Sequence, residues 1–239
     1  MKDYSQAVDY RYGVEAPVSA EQRNRVLRNT YWLLALSLVP TVIGAWVGMK
    51  FMLPMLLSSF GKSSGIISLV IFFAGAFGLI FAINKAKNSP AGVYLLLAFT
   101  FFMGVMLAPT LQYYLWRYAN GAQLIATAFG GTALVFFSVA TVSTMIKRDL
   151  SWMGKWLFVG LIMVIVAMIA NIFMQSSVLQ LTLSVVCVGL FSAFLLYDIK
   201  RVIDGGETNY VTATLSIYLD VYNIFVHLLH ILGALTGRD

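Results

Sequence analysis

Charge is scarce in this chain. Only 11% of its 239 residues are charged and just ten are acidic. Cysteine is nearly absent, Cys187 standing alone, which excludes a disulfide framework or a thiolate metal cluster within one chain. Proline is rare, five residues in all, and Pro40 and Pro109 fall inside apolar runs where kinks are tolerated. No H-E-x-x-H zinc-protease motif and no G-x-S-x-G nucleophile elbow occurs. The two histidines lack further ligands at zinc-site spacing.

What the chain has instead is apolar length. It is 60% hydrophobic with a mean hydropathy of +0.83, far outside the range of a soluble domain. A span needs ~20 apolar residues, and such runs lie near 31–53, 64–84, 91–115, 123–145, 156–174, 178–203 and 213–235. The runs are continuous rather than alternating, so they predict helices and not a β-barrel. Short connections predict one compact bundle over 28–237, an all-α integral membrane protein whose first partner is the lipid bilayer. Residues 1–27 are polar and mixed in charge, which predicts a flexible cytoplasmic tail. No signal-peptide core precedes Tyr31, so the first helix is expected to serve as an uncleaved insertion signal.

The formal charge of +6 does not imply nucleic acid, because the basic residues are sorted by loop. Lys2, Arg11, Arg23, Arg25, Arg28, Lys85, Lys87, Lys147, Arg148, Lys155, Lys200 and Arg201 share one side, twelve of sixteen. Lys50, Lys62, Arg117 and Arg238 fall on the other. Basic loops stay cytoplasmic, which predicts an inside N-terminus and, after seven spans, a periplasmic C-terminus.

Against this background Asp220 stands out, seven residues into the last apolar run. A carboxylate there costs at least ~2.5–3.5 kcal/mol to insert, so it marks function by default. Ser216, Asp220, Asn223, His227 and His230 follow at spacings of four, three, four and three, which puts them on one helical stripe. Such a stripe must line a polar cavity or face other helices.

Asp198 is the only other acid inside a run, five residues from the same membrane surface. At 1.5 Å rise per residue both carboxyls lie ~7–11 Å deep. Consecutive helices joined by a short loop are neighbours, so the two can meet and share a proton as one titrating pair. Taken alone, Asp198 also fits a helix-end ion pair with Arg201 three residues on. The histidines equally fit satisfied interhelical donors, and Asn171 reads as interhelical glue. An intramembrane aspartyl protease also uses two aspartates, although nothing else points to an enzyme. The small-residue patches Gly44-xxx-Gly48, Ala74-xxx-Gly78 and Gly130-Gly131 allow close helix approach. Gly205-Gly206 reads as a turn.

Several motifs fall in the order of a known family. Tyr197-Asp198-Ile199-Lys200, then Gly205-Gly206, then 215–225 (LSIYLDVYNIF), closing on Leu232-Gly233, resembles the C-terminal motif of the Bax inhibitor family. Gly131-Thr132-Ala133 through 147–151 (KRDLS), and Gly104 with Pro109, resemble its fourth and third spans. Arg28-Asn29-Thr30-Tyr31 and the loop 205–210 look most like its bacterial YccA-like branch. The resemblance covers about 23–233.

This resemblance implies a seven-helix bundle with the last helix central. It also implies a pH-sensitive calcium leak gated by an aspartate pair, which maps onto Asp198 and Asp220 and would make them a weak calcium site, with calcium as transported ion and no cofactor. Relatives can latch an arginine from the second span onto that pair. Here the candidates are Lys85 and Lys87, point charges without a planar fork, with Arg201 as a third. His230 stands where relatives often carry arginine. The YccA-like branch further implies a rival role, modulation of the membrane protease FtsH through the cytoplasmic tail.

Overall fold

The computed structural model describes residues 19–60 and 64–237. Among the described residues the regular structure is all helical, and seven helices are long and apolar enough to cross a membrane. Helix α1 (Ala20–Val47) runs through a π-helical turn (Gly48–Met52) into a short α2 (Leu53–Phe60). The remaining spans are α3 (Ser64–Ala86), α4 (Pro90–Arg117), α5 (Gly121–Met145), α6 (Met153–Met174), α7 (Ser177–Ile203) and α8 (Tyr210–Leu235).

Helix ends follow local chemistry. Ser19 caps α1 by accepting from the Gln22 amide at 3.1 Å. Asn209 caps α8 through the Val211 and Thr212 amides, and such a cap is worth ~1 kcal/mol. Just past the end of α7, Gly205 has a φ of 83°, which permits the left-handed turn that returns the Gly206 and Glu207 amides to the Arg201 carbonyl. Asn171 works within its own turn, its side-chain oxygen accepting from the Ser176 amide. It is therefore a loop brace rather than the interhelical glue its position suggested.

The bundle is built around α8, which packs against α1, α3, α4, α5 and α7. The main core gathers Ile83, Leu96, Phe99, Leu195, Ile199, Ile217 and Ile224. Helix α6 has α7 as its main neighbour and turns Phe158, Ile162, Val166, Ile169 and Phe173 outward, as a lipid-facing helix does.

The closest crossing joins α1 to α4. A Cβ on Gly104 would lie 2.0 Å from the Thr41 carbonyl oxygen, and one on Gly44 would lie 2.1 Å from that of Phe101. Without side chains there, the backbones touch and dispersion contacts replace the hydrophobic effect that lipid cannot supply. The Gly44-xxx-Gly48 patch is thus a true contact surface. Gly78 and Gly130 face open space, so the other patches bring no backbone close.

Two sequence expectations shift. Helix α1 reaches down to Ala20, inside the expected tail 1–27, because Val26 is an apolar anchor that packs with Val202 and Ala213. Residues 1–18 lie outside the described residues. The first span also runs past residue 53, through the π turn into α2.

Candidate functional site

Asp198 on α7 and Asp220 on α8 meet side chain to side chain. The short α7–α8 loop makes the two helices antiparallel neighbours, which sets both carboxyls at one depth. Asp220 is 5% exposed, and its Oδ2 is buried with no hydrogen-bond donor. A carboxylate so placed carries an uncompensated desolvation cost. A proton held between the two carboxyls would supply the missing donor.

The cations around this pair are mostly engaged elsewhere. Arg201 acts on Asp198 electrostatically, while its guanidinium pairs with Glu207 at 3.3 Å. Lys200 is buried and pairs with Asp204. Lys85 is exposed, and Lys87 contributes its carbonyl to Asn209. Among the described residues neither lysine forms an ion pair with the aspartates.

The rest of the stripe divides. Ser216 is half-buried. Asn223 turns its amide onto its own helix, donating to the Leu219 carbonyl at 2.8 Å. His227 is buried with Nδ1 unpartnered, its ring stacked at 6.4 Å on Phe191. His230 stacks on Tyr114 and meets His227 edge to face at 5.9 Å. It also lines a cleft of about 860 Å³ between α4, α7 and α8, together with Arg117 and Gln180. The histidines thus reach toward the face opposite the basic loops. Among the described residues no three His, Cys, Asp or Glu side chains cluster for a metal ion, so the aspartate pair is a two-carboxylate site.

A second polar column went unnoticed in the sequence. Thr214, Tyr218 and Tyr222 recur every four residues on α8, roughly opposite Asp220. Thr214 reaches the Thr30 carbonyl at 3.4 Å, Tyr218 Oη lies 2.9 Å from Thr41 Oγ1, and Tyr222 donates to the Met103 carbonyl at 3.5 Å. Hydroxyls at a four-residue interval were the signal, hidden among apolar neighbours.

Residues 23–237 match the family described as Inhibitor of apoptosis-promoting Bax1. The chain belongs to the Bax inhibitor family. It is 41% identical over 216 residues to Modulator of FtsH protease YccA of Escherichia coli strain K12, covering 90% of this chain and 92% of that one. The same identity and coverage hold for Inner membrane protein YccA of Escherichia coli O6:H1. A membrane protein of Vibrio cholerae is 40% identical over 218 residues, 91% of this chain and 93% of its own. The seven spans and the packing of α8 against five other helices agree with the bundle that the resemblance implied.

Proposed function

We propose that this protein is a pH-responsive cation leak of the bacterial inner membrane, with calcium the first candidate ion and the Asp198–Asp220 pair its sensor and gate. The observation that carries this is the buried Asp220 carboxyl, with one orphaned oxygen, beside the half-buried Asp198, a cost that a helix bundle retains where it is used. With the shared proton in place the pair is neutralised to a single charge and α7 stays against α8. When the proton leaves, two charges face each other in a poorly solvated site, and a cation or a basic side chain must join them or the helices must part. Two carboxylates provide only part of the six to eight oxygens calcium takes, so binding is weak and exchange fast, as conduction requires.

Calcium entry into liposomes containing only the purified protein tests this. Flux that depends on pH in the wild type and loses that dependence in Asp220→Asn supports it. No flux above empty liposomes at any pH rejects it.

A second reading rests on the relative named Modulator of FtsH protease YccA. In it the chain engages the FtsH protease through its N-terminal segment. Co-purification with FtsH and a change in its proteolytic rate would support this reading, and their absence alongside intact calcium flux would leave the leak alone. The inner-membrane address has the second YccA relative's name behind it. The inside N-terminus has the distribution of basic residues behind it.

A further inference from the structure

On the face that carries the basic loops, a cleft of about 810 Å³ opens between α1, the α3–α4 turn and the start of α8. Arg25 and Lys87 line its outer end. Among the described residues neither is in an ion pair, and none of the described residues lining the cleft is acidic. A cleft with uncompensated positive charge selects an anion.

The lining changes character with depth. From Arg25 to Leu36 along α1 is a rise of ~16 Å, and from Pro90 to Leu97 along α4 ~10 Å. Over that distance the walls pass from Arg25, Lys87 and Asn88 to Leu36, Val93 and Leu97. Tyr94, 73% exposed, stands at the transition, the level at which tyrosines sit at a membrane interface. Leu36 is 51% exposed, so the deep end opens sideways toward hydrocarbon. A soluble anion would use only the outer end of such a cleft. An anionic lipid uses both.

The floor is fixed before any ligand arrives. Asn209 Nδ2 donates to the Lys87 carbonyl at 3.0 Å and to Asn88 Oδ1 at 2.8 Å. These bonds clamp the α3–α4 turn to the start of α8, so the cation on Lys87 is presented on a rigid backbone.

We propose that this cleft binds an anionic phospholipid of the leaflet at the basic face, its phosphate against Arg25 and Lys87 and one acyl chain along Leu36, Val93 and Leu97. The site is separate from the aspartate pair and stands whether or not the protein conducts ions.

The full-length protein in nanodiscs of equal parts phosphatidylcholine and phosphatidylglycerol, ejected into a native mass spectrometer, gives the test. Phosphatidylglycerol should be retained preferentially, and the Arg25→Ala/Lys87→Ala double variant should lose that preference about tenfold. Arg117→Ala, which removes a cation on the opposite face, should keep it. Val93→Trp, which fills the apolar end and leaves both charges, should lower retention of phosphatidylglycerol. Equal retention of the two lipids by the wild type would overturn the proposal. So would competition by free glycerol 3-phosphate at the same concentration as lipid, which would make the cleft a soluble-anion site. Thermal unfolding of each variant shows that a loss is not misfolding.

Discussion

Tyr218 Oη and Thr41 Oγ1 lie 2.9 Å apart and fix the rotation of the last helix. Thr41 spends its own proton on the Ser37 carbonyl at 2.8 Å, so Tyr218 is the donor in the bond between them. Two residues along a helix is a turn of ~200°, so anchoring Tyr218 on α1 aims Asp220 at α7. The hydroxyl that touches neither carboxyl therefore positions one of them.

Tyr218→Phe removes that bond and leaves the ring. We expect a loss of ~0.5–1.5 kcal/mol in unfolding free energy, measured in detergent against denaturant. If the hydroxyl sets the rotation, Tyr218→Phe also shifts the pH response of calcium flux, whereas Tyr222→Phe, at the looser 3.5 Å contact, shifts it less. Equal shifts in both would refute the anchoring role.

The α1–α4 crossing gives a paired test. Gly104→Ala places a methyl 2.0 Å from the Thr41 carbonyl oxygen, and backbone must move to admit it. Overpacking of this kind costs ~1–3 kcal/mol. Gly78→Ala meets nothing within 4 Å and gains helix propensity, so its stability should be equal or higher. A harmless Gly104→Ala would mean the two backbones are not in contact.

Most of the architecture was legible in the sequence, and the reason is chemical. In a bilayer each span must be continuously apolar, so seven runs reveal seven helices, and Asp198 and Asp220 stand out because few charges surround them. The stripe from Ser216 to His230 showed a polar face but not its contacts. Asn223 bonds its own helix, which spacing cannot reveal. Tyr218 and Thr41 were missed because tyrosine and threonine are unremarkable in a span until a partner 177 positions away is known. The start of α1 was read late because Arg23, Arg25 and Arg28 look like tail, although Val26 between them is buried.

Asp149 gives a pH prediction outside the membrane. The Ser151 hydroxyl at 2.6 Å and amide at 2.8 Å, aided by the charge of Lys200, hold its carboxyl below the usual carboxylate range. A depressed native pKa contributes stability that is complete above the ordinary value of ~3.9 and is lost as pH falls through the native one. Protection of the Ser151 amide against hydrogen exchange should therefore persist at pH values where free aspartate is protonated, then fall. Asp149→Ala should remove this pH dependence. A transition at the ordinary aspartate value would show that the turn does not form.

The division of basic residues predicts topology. Alkaline phosphatase fused after residue 237 should be active and a fusion in the 147–155 loop inactive, because twelve of sixteen cations share the latter side. An inactive C-terminal fusion would require an even number of crossings, and α6, packed mainly on α7, would be the span to re-examine.

The aspartate pair carries the sharpest expectation. If the proposed pair shares a proton, Asp198 and Asp220 titrate as one unit, and the proposed calcium flux should change steeply within about pH 5–8. Asparagine at either position keeps the shape and removes the sharing, so Asp198→Asn and Asp220→Asn should each flatten the response. Their effects should be non-additive in the double variant, since each alone already abolishes the coupled step. The direction of the wild-type change is informative in itself. Flux that rises with pH assigns cation binding to the deprotonated pair. Flux that falls with pH assigns closure to capture of a basic side chain, with Arg201, already acting on Asp198, the first to replace by glutamine. An unaltered pH response in both single variants would sink the dyad and leave Asp220 a buried structural carboxyl.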